Sequence, residues 1–153
     1  IEHLVAQNLY GLDLNSGVEI SPGKKCSAKL NNVFAKILQG KLPANIVFEN
    51  DHVLAFEDIH PIKQVHVLII PKGQYRSLVD FSSTASDQEI LALVKSIGKI
   101  AKAMGLTQDG FSLITNSGHN GGQTVDHLHF HLLGGEPVHW EQALREENLS
   151  SEQ

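Results

Sequence analysis

The chain has 153 residues, 41% of them hydrophobic and 19% charged, with a net charge of −5. That is enough for one domain with a single substantial core, and the acidic balance excludes a basic footprint for a nucleic-acid backbone, although one nucleotide phosphate needs only local donors. The single cysteine, Cys26, excludes an internal disulfide framework, and no run approaches the roughly 18 apolar residues of a membrane span; with no signal peptide visible, a cytoplasmic location is expected.

Residues 1–30 carry short apolar patches broken by Asn15-Ser16-Gly17 and Ser21-Pro22-Gly23, and are read as an N-terminal extension without legible function. From Asn32 the pattern sharpens. Val33, Phe34, Ile37 and Leu38 fall at helical spacing, with Gly40 placed to end a short helix. Ile46-Val47-Phe48-Glu49 and the run from His52 to Glu57 read as two strands joined by a tight turn at Asn50-Asp51. Pro61 then forces the chain out of regular pairing, so Asp58 sits at a strand end facing a pocket. A carboxylate there can accept hydrogen bonds from the hydroxyls of a ribose, but an isolated aspartate is more simply a turn or cap residue.

Val65 to Ile70 is a buried strand by its β-branched content, and Pro71 stops it. His66 interrupts that strand, and taken alone reads as a hydrogen-bonded core residue. Ser86-Asp87-Gln88-Glu89 is a capping box opening a long amphipathic helix, whose apolar positions Ile90, Leu93, Val94, Ile97, Ile100, Ala101 and Met104 recur at three- and four-residue steps before Gly105. Phe111 to Thr115 is a further strand, delivering Asn116 to a polar loop that contains Gly118, Gly121 and Gly122. Such loops let backbone N–H groups approach an anion.

Directly after it, His127, His129 and His131 alternate with Leu128, Phe130 and Leu132. Strand geometry puts the three imidazoles on one face, neighbours roughly 7 Å apart, and the apolar residues on the other. Histidine works as nucleophile or proton carrier near neutral pH, so this face beside an anion-binding loop points to phosphoryl or nucleotidyl transfer. A three-histidine zinc site is the competing reading. After Gly135 come His139-Trp140 and an acidic, polar end. The elements indicate an α+β fold with a mostly antiparallel sheet of about five strands, one short helix and one long one. The domain spans residues 31–141, and 142–153 form a polar tail.

The run Gly121-Gly122-Gln123-Thr124-Val125-Asp126-His127-Leu128-His129-Phe130-His131-Leu132-Leu133-Gly134-Gly135 resembles the signature of the histidine triad (HIT) superfamily. Gly134-Gly135 and the stretch from Asn32 to Ala44 resemble its Hint branch, and the resemblance covers about Asn32 to Trp140. It implies a HIT-like fold, a homodimer formed through the long helix and an adjacent strand, and hydrolysis of purine nucleoside phosphoramidates through a nucleotidyl-histidine. In that scheme His129 is the nucleophile, and His131 and Thr124, with the N–H groups around Gly122 and Gln123, hold the phosphoryl oxygens. His127 and His66 support the ring orientation, and Asn116 lies near the phosphate or leaving group. Asp58 and Ile59 line the nucleoside pocket, Phe34 and Phe56 are its apolar walls, and Trp140 shapes the partner's site. Some relatives carry Cys-x-x-Cys with a zinc, but here those positions are Asn32 and Ala35, so neither metal nor cofactor is expected. Two other readings remain: a nucleotide-binding sensor with vestigial catalysis, and a dinucleoside polyphosphate hydrolase of the Fhit type, against which Gly134-Gly135 and His139-Trp140 argue.

Overall fold

A computed structural model of the chain describes residues 33–139. The extension 1–30, Cys26, Asn32, Trp140 and the tail 142–153 lie outside them. A helical segment over residues 33–38 (α1) comes first, and Val33, Phe34 and Ile37 bury its apolar face. Gly40, at φ 73°, turns the chain away from it, a left-handed conformation that glycine takes without steric penalty. Strands β1 (Ile46–Glu49) and β2 (Val53–Glu57) form the expected hairpin. Its turn is fixed by Asn50, whose Oδ1 accepts the N–H groups of His52 (3.0 Å) and Val53 (2.9 Å).

Strand β3 (Val65–Pro71) follows, then a short helix α2 (Leu78–Thr84), the long helix α3 (Asp87–Ala103), β4 (Phe111–Ile114) and β5 (Phe130–Gly134). The five strands make one sheet in the order β1-β2-β3-β5-β4, antiparallel at every pair. This is the expected α+β architecture. The capping box of α3 closes both ways, Ser86 Oγ accepting the Glu89 N–H (3.1 Å) and Glu89 Oε1 accepting the Ser86 N–H (3.2 Å).

The period-2 alternation of the strands divides the core in two. Val53, Ala55, Val67, Ile69, Leu128, Phe130 and Leu132 face α2 and α3 and pack with Phe81, Leu93, Ile100 and Ala101. Leu54, Phe56, Leu68 and Ile70 face the other way and pack with Phe34, Ile37 and Val125. No helix among the described residues is long and apolar enough to cross a membrane.

Two features depart from the sequence reading. Helix α2 was not expected, because it buries only Phe81 and ends in Ser82-Ser83-Thr84. These hydroxyls bond back to the carbonyls of Val79 and Asp80, a habit that makes such residues poor predictors of helix. The histidine run is also not one continuous sheet strand. Pairing begins at Phe130, so only His131 belongs to β5, and His127 and His129 lie in the extended segment before it.

Candidate functional site

The side-chain alternation nevertheless continues through that segment. Leu128, Phe130 and Leu132 enter the α3-side core, while the three imidazoles emerge on the α1 side. There the Phe34 ring stands edge-on to His127 (5.8 Å between centroids) and His129 (5.4 Å), and His129 lies 5.2 Å from His131. His66, on the neighbouring strand β3, comes within 5.2 Å of His131.

Because sheet pairing stops at Phe130, something else must hold His127 and His129, and it is the end of β3 with the loop after it. The Leu128 N–H donates to the Tyr75 carbonyl (2.7 Å), His127 Nε2 donates to the Pro71 carbonyl (3.1 Å) and Gln123 Nε2 donates to the Arg76 carbonyl (2.6 Å). The Arg76 guanidinium adds an ion pair with Asp126 at 3.0 Å. From the other side, the Thr115 hydroxyl donates to the His129 carbonyl (2.8 Å). Tyr75 is anchored in turn: its ring meets Phe81 edge-on at 5.0 Å and its hydroxyl donates to Glu89 Oε2 (2.8 Å). The sequence marks Pro71 and Thr115 only as strand ends and does not single out Tyr75 or Arg76; none of the four is read from it as part of the site, and Pro71 is itself the last residue of β3. Three of them contribute through main-chain carbonyls, which every residue has, and for these no side-chain signal exists.

The hydrogen bonds assign the tautomers. A carbonyl only accepts, so His129 Nδ1, 2.7 Å from the His127 carbonyl, carries a hydrogen. The neutral ring then has its lone pair on Nε2. His127 is protonated on Nε2, which faces the Pro71 carbonyl. His66 Nδ1 accepts the Ile62 N–H (3.2 Å), so its hydrogen is on Nε2, 2.9 Å from His131 Nδ1 and 3.4 Å from Asp58 Oδ2. When that hydrogen goes to His131, the ring accepts at Nδ1 and carries its own proton on Nε2.

All four rings are held below the ordinary histidine pKa, chiefly because burial penalises the charged form. For His66, Asp58 partly opposes the shift, and for His127 and His129 the carbonyl hydrogen bonds do so. His131, with His129 and His66 as neighbours, is pushed down to about 3. At neutral pH the cluster is uncharged, and His129 presents a lone pair.

One donor of Asp58 Oδ, one of His66 and one of His131 lie within 4.8 Å of one another, a spacing that invites a metal ion. The tautomers argue otherwise. A neutral imidazole has one lone pair, and that of His66 is already engaged by the Ile62 N–H, so His66 offers the cluster a hydrogen. These three groups form a hydrogen-bond chain, and the side chain of Ala35 has no atom that could ligate a metal.

The remaining expected residues fall as follows. Phe56 and Ile59 line an apolar cleft with Ile37, Leu42, Pro43, Ala44 and Glu57. Phe34 does not line it: at 0% exposure it backs the site, touching Phe56 and the histidines from behind. Asp58 is partly the turn residue of the simpler reading, since its Oδ1 accepts the His60 N–H (2.8 Å), while Oδ2 faces His66. The N–H groups of Gly122 and Gln123 do not face an open site; they close the loop on the carbonyls of His119 (3.1 Å) and Gly118 (3.0 Å). The expectation that they hold an anion is corrected accordingly, because a donor spent inside the loop is not available to a ligand in this conformation. Asn116 Nδ2 donates one hydrogen to the Gly121 carbonyl (2.8 Å), which fixes its side chain to the loop. Thr124 is exposed, and among the described residues its hydroxyl has no partner.

Residues 39–138 match the HIT domain. An uncharacterised HIT-like protein of Rickettsia prowazekii is 49% identical over 107 residues, covering 70% of this chain and 89% of its own. The purine nucleoside phosphoramidase of Escherichia coli is 40% identical over 106 residues, covering 69% and 88%. Among solved structures, a histidine triad protein from Clostridium difficile superposes with a TM-score of 0.63 at 42% identity, covering 70% of this chain and 92% of that one. A HIT family hydrolase from Legionella pneumophila gives 0.62 at 43%, covering 70% and 95%. The family's domain thus runs through the whole sheet and the histidine face at its centre, and this chain belongs to the HIT family.

Proposed function

We propose that this protein is a nucleotide hydrolase that cleaves purine nucleoside phosphoramidates through a nucleotidyl-histidine. The observation that carries the reading is the 2.7 Å hydrogen bond from His129 Nδ1 to the His127 carbonyl, which leaves the lone pair on Nε2 of a ring that burial keeps neutral. In the proposed reaction His129 Nε2 attacks the α-phosphorus, the phosphorus–nitrogen bond to the leaving amine breaks, and the amine nitrogen takes up a proton from solvent, which the hydrolytic water gives back in the second step. Water then displaces His129 from phosphorus. Splitting one displacement into two eases each step.

His131, protonated on Nε2, and the Thr124 hydroxyl supply hydrogen bonds to the non-bridging oxygens, where charge concentrates. His127 positions His129 through its carbonyl. The cleft between Phe56 and Ile59 takes the base, and Asp58 takes the ribose. The similarity to the phosphoramidase of Escherichia coli supports this substrate class. The chemistry needs no metal and no cofactor, and we place it in the cytoplasm.

We also propose a homodimer formed through α3 and β4. Among the described residues strand β4 is a sheet edge, Phe111 and Leu113 stand exposed on it, and Val94 on α3 is 63% exposed. An unpaired edge flanked by apolar side chains is stabilised by a second copy.

The test is His129→Gly with adenosine monophosphoramidate. Turnover should vanish while nucleotide binding is kept, and the parent should yield a trapped phosphorus adduct on His129 in a single turnover. Activity within about tenfold of the parent would refute the nucleophile, because losing the covalent route should cost several kcal/mol.

A further inference from the structure

His66 has one hydrogen to give and two acceptors within reach. Its Nδ1 is engaged by the Ile62 N–H, so the Nε2 hydrogen is the only one it offers, and that atom lies 2.9 Å from His131 Nδ1 and 3.4 Å from Asp58 Oδ2. Distance favours His131. Charge favours Asp58, since a carboxylate accepts more strongly than a neutral ring nitrogen, and more so where water is scarce. His66 and Asp58 are both sheltered, their side chains 3% and 12% exposed. The carboxylate is also fixed in place, because the His60 N–H holds its other oxygen at 2.8 Å.

We infer that Asp58 is a positioning residue as well as a sugar acceptor: through His66 it sets the tautomer of His131, so that a ribose hydroxyl is felt in the chemical step and not in binding alone. The inference rests on the nucleotide reading above. A hydroxyl donating to Asp58 satisfies the carboxylate and weakens its pull on the His66 hydrogen. That hydrogen then stays on His131 Nδ1, and neutral His131 must keep its own proton on Nε2, as a donor to a phosphoryl oxygen. When the His66 hydrogen turns to Asp58 instead, His131 Nδ1 no longer receives it. The ring can then carry its proton there and turn a lone pair toward the phosphoryl oxygens, which repels them. Sugar recognition is thereby linked to phosphoryl-oxygen stabilisation through a chain of three side chains.

The experiment measures kcat and KM separately for adenosine monophosphoramidate and its 2′-deoxy counterpart, in the parent, Asp58→Ala and His66→Phe. The parent should favour the ribonucleotide by about tenfold, with most of the preference in kcat. In Asp58→Ala the preference should disappear from both parameters. In His66→Phe, which keeps a ring in the sheet but has no hydrogen to share, the kcat preference should fall to about one while any KM preference persists. A kcat preference that survives in His66→Phe would overturn the coupling.

Since His66→Phe leaves the Ile62 N–H without its acceptor and can fail to fold, a second arm uses the parent alone. Nitrogen chemical shifts of the His131 ring are recorded free, with adenosine monophosphate and with deoxyadenosine monophosphate. The ribonucleotide should drive the ring to the Nε2–H tautomer, and the deoxynucleotide should leave it as in the free protein. Identical shifts with both ligands would refute the coupling. If the parent neither turns over the phosphoramidates nor binds the monophosphates, the nucleotide reading itself fails; turnover without the kcat split refutes only the link through His66.

Discussion

Phe34 offers the sharpest test of why the histidine cluster is uncharged. Its ring is fully buried and stands edge-on to Phe56, His127 and His129 at 5.9, 5.8 and 5.4 Å. Truncating a core phenylalanine to alanine costs about 3–5 kcal/mol, and three edge-on ring contacts, each worth about 0.5–1.5 kcal/mol beyond area, place Phe34→Ala at about 4–5. Against a total stability of about 10 kcal/mol, the middle of the usual range, the domain remains folded at 25 °C, with Tm lowered by something on the order of 20 °C. The space left beside His129 is bordered by polar rings and admits water. Burial is the largest cause of the lowered His129 pKa, so hydration should raise it toward 6.5. A larger share of His129 is then protonated at pH 6, and its lone pair is lost. The assay is kcat/KM against pH, whose acid limb reports ionisations of the free enzyme. The acid limb of Phe34→Ala should lie at higher pH than that of the parent, with Phe34→Leu in between. Loss of stability without movement of the acid limb would show that Phe34 does not hold His129 neutral.

Activity should survive exhaustive chelation, because His66 contributes a hydrogen to its cluster and no lone pair; a stoichiometric metal whose removal abolishes turnover would refute this. Stability should fall on acidification. The four histidines titrate lower in the folded chain than the ordinary histidine value of 6.5, so below that value the unfolded state binds more protons. Their contribution is complete above pH 6.5 and is lost as pH falls toward the folded values, by about 1.4 kcal/mol per pH unit for each histidine that titrates only on unfolding. Urea midpoints between pH 8 and pH 5 would check it, and a flat profile would refute it. Finally, Val94→Asp together with Leu113→Asp should yield a monomer by sedimentation, whereas an unchanged dimer would place the interface elsewhere.

Where local patterning and tertiary context agreed, the sequence was legible. The β-branched run of β3, the Ser86–Glu89 box and the period-2 alternation around His129 each state their structure within a few residues, and all three are present. The histidine face survived although its strand assignment did not, because side-chain alternation depends on an extended backbone and not on ladder pairing. What could not be read was how that backbone is held. The acceptors are the carbonyls of Pro71, Tyr75 and Arg76, which carry no residue-type signature. Glycines in the 116–122 loop suggested donors open to a ligand, but the count of glycines does not reveal that the N–H groups of Gly122 and Gln123 are used to close the turn. Asp58 was ambiguous between turn and ligand for a similar reason. Its two oxygens do different things, one fixing His60 and one facing His66.

The main-chain cradle also decides which changes this region tolerates. Side chains between Lys72 and Arg76 can vary widely without moving the three carbonyls that grip Gln123, His127 and Leu128, so point substitutions there should be mild unless they remove the Tyr75 anchor. Inserting or deleting a single residue is different in kind. It shifts every later carbonyl by one peptide, about 3.8 Å along the chain, and breaks the contacts from Tyr75 and Arg76 together. The segment is therefore permissive in composition and strict in length.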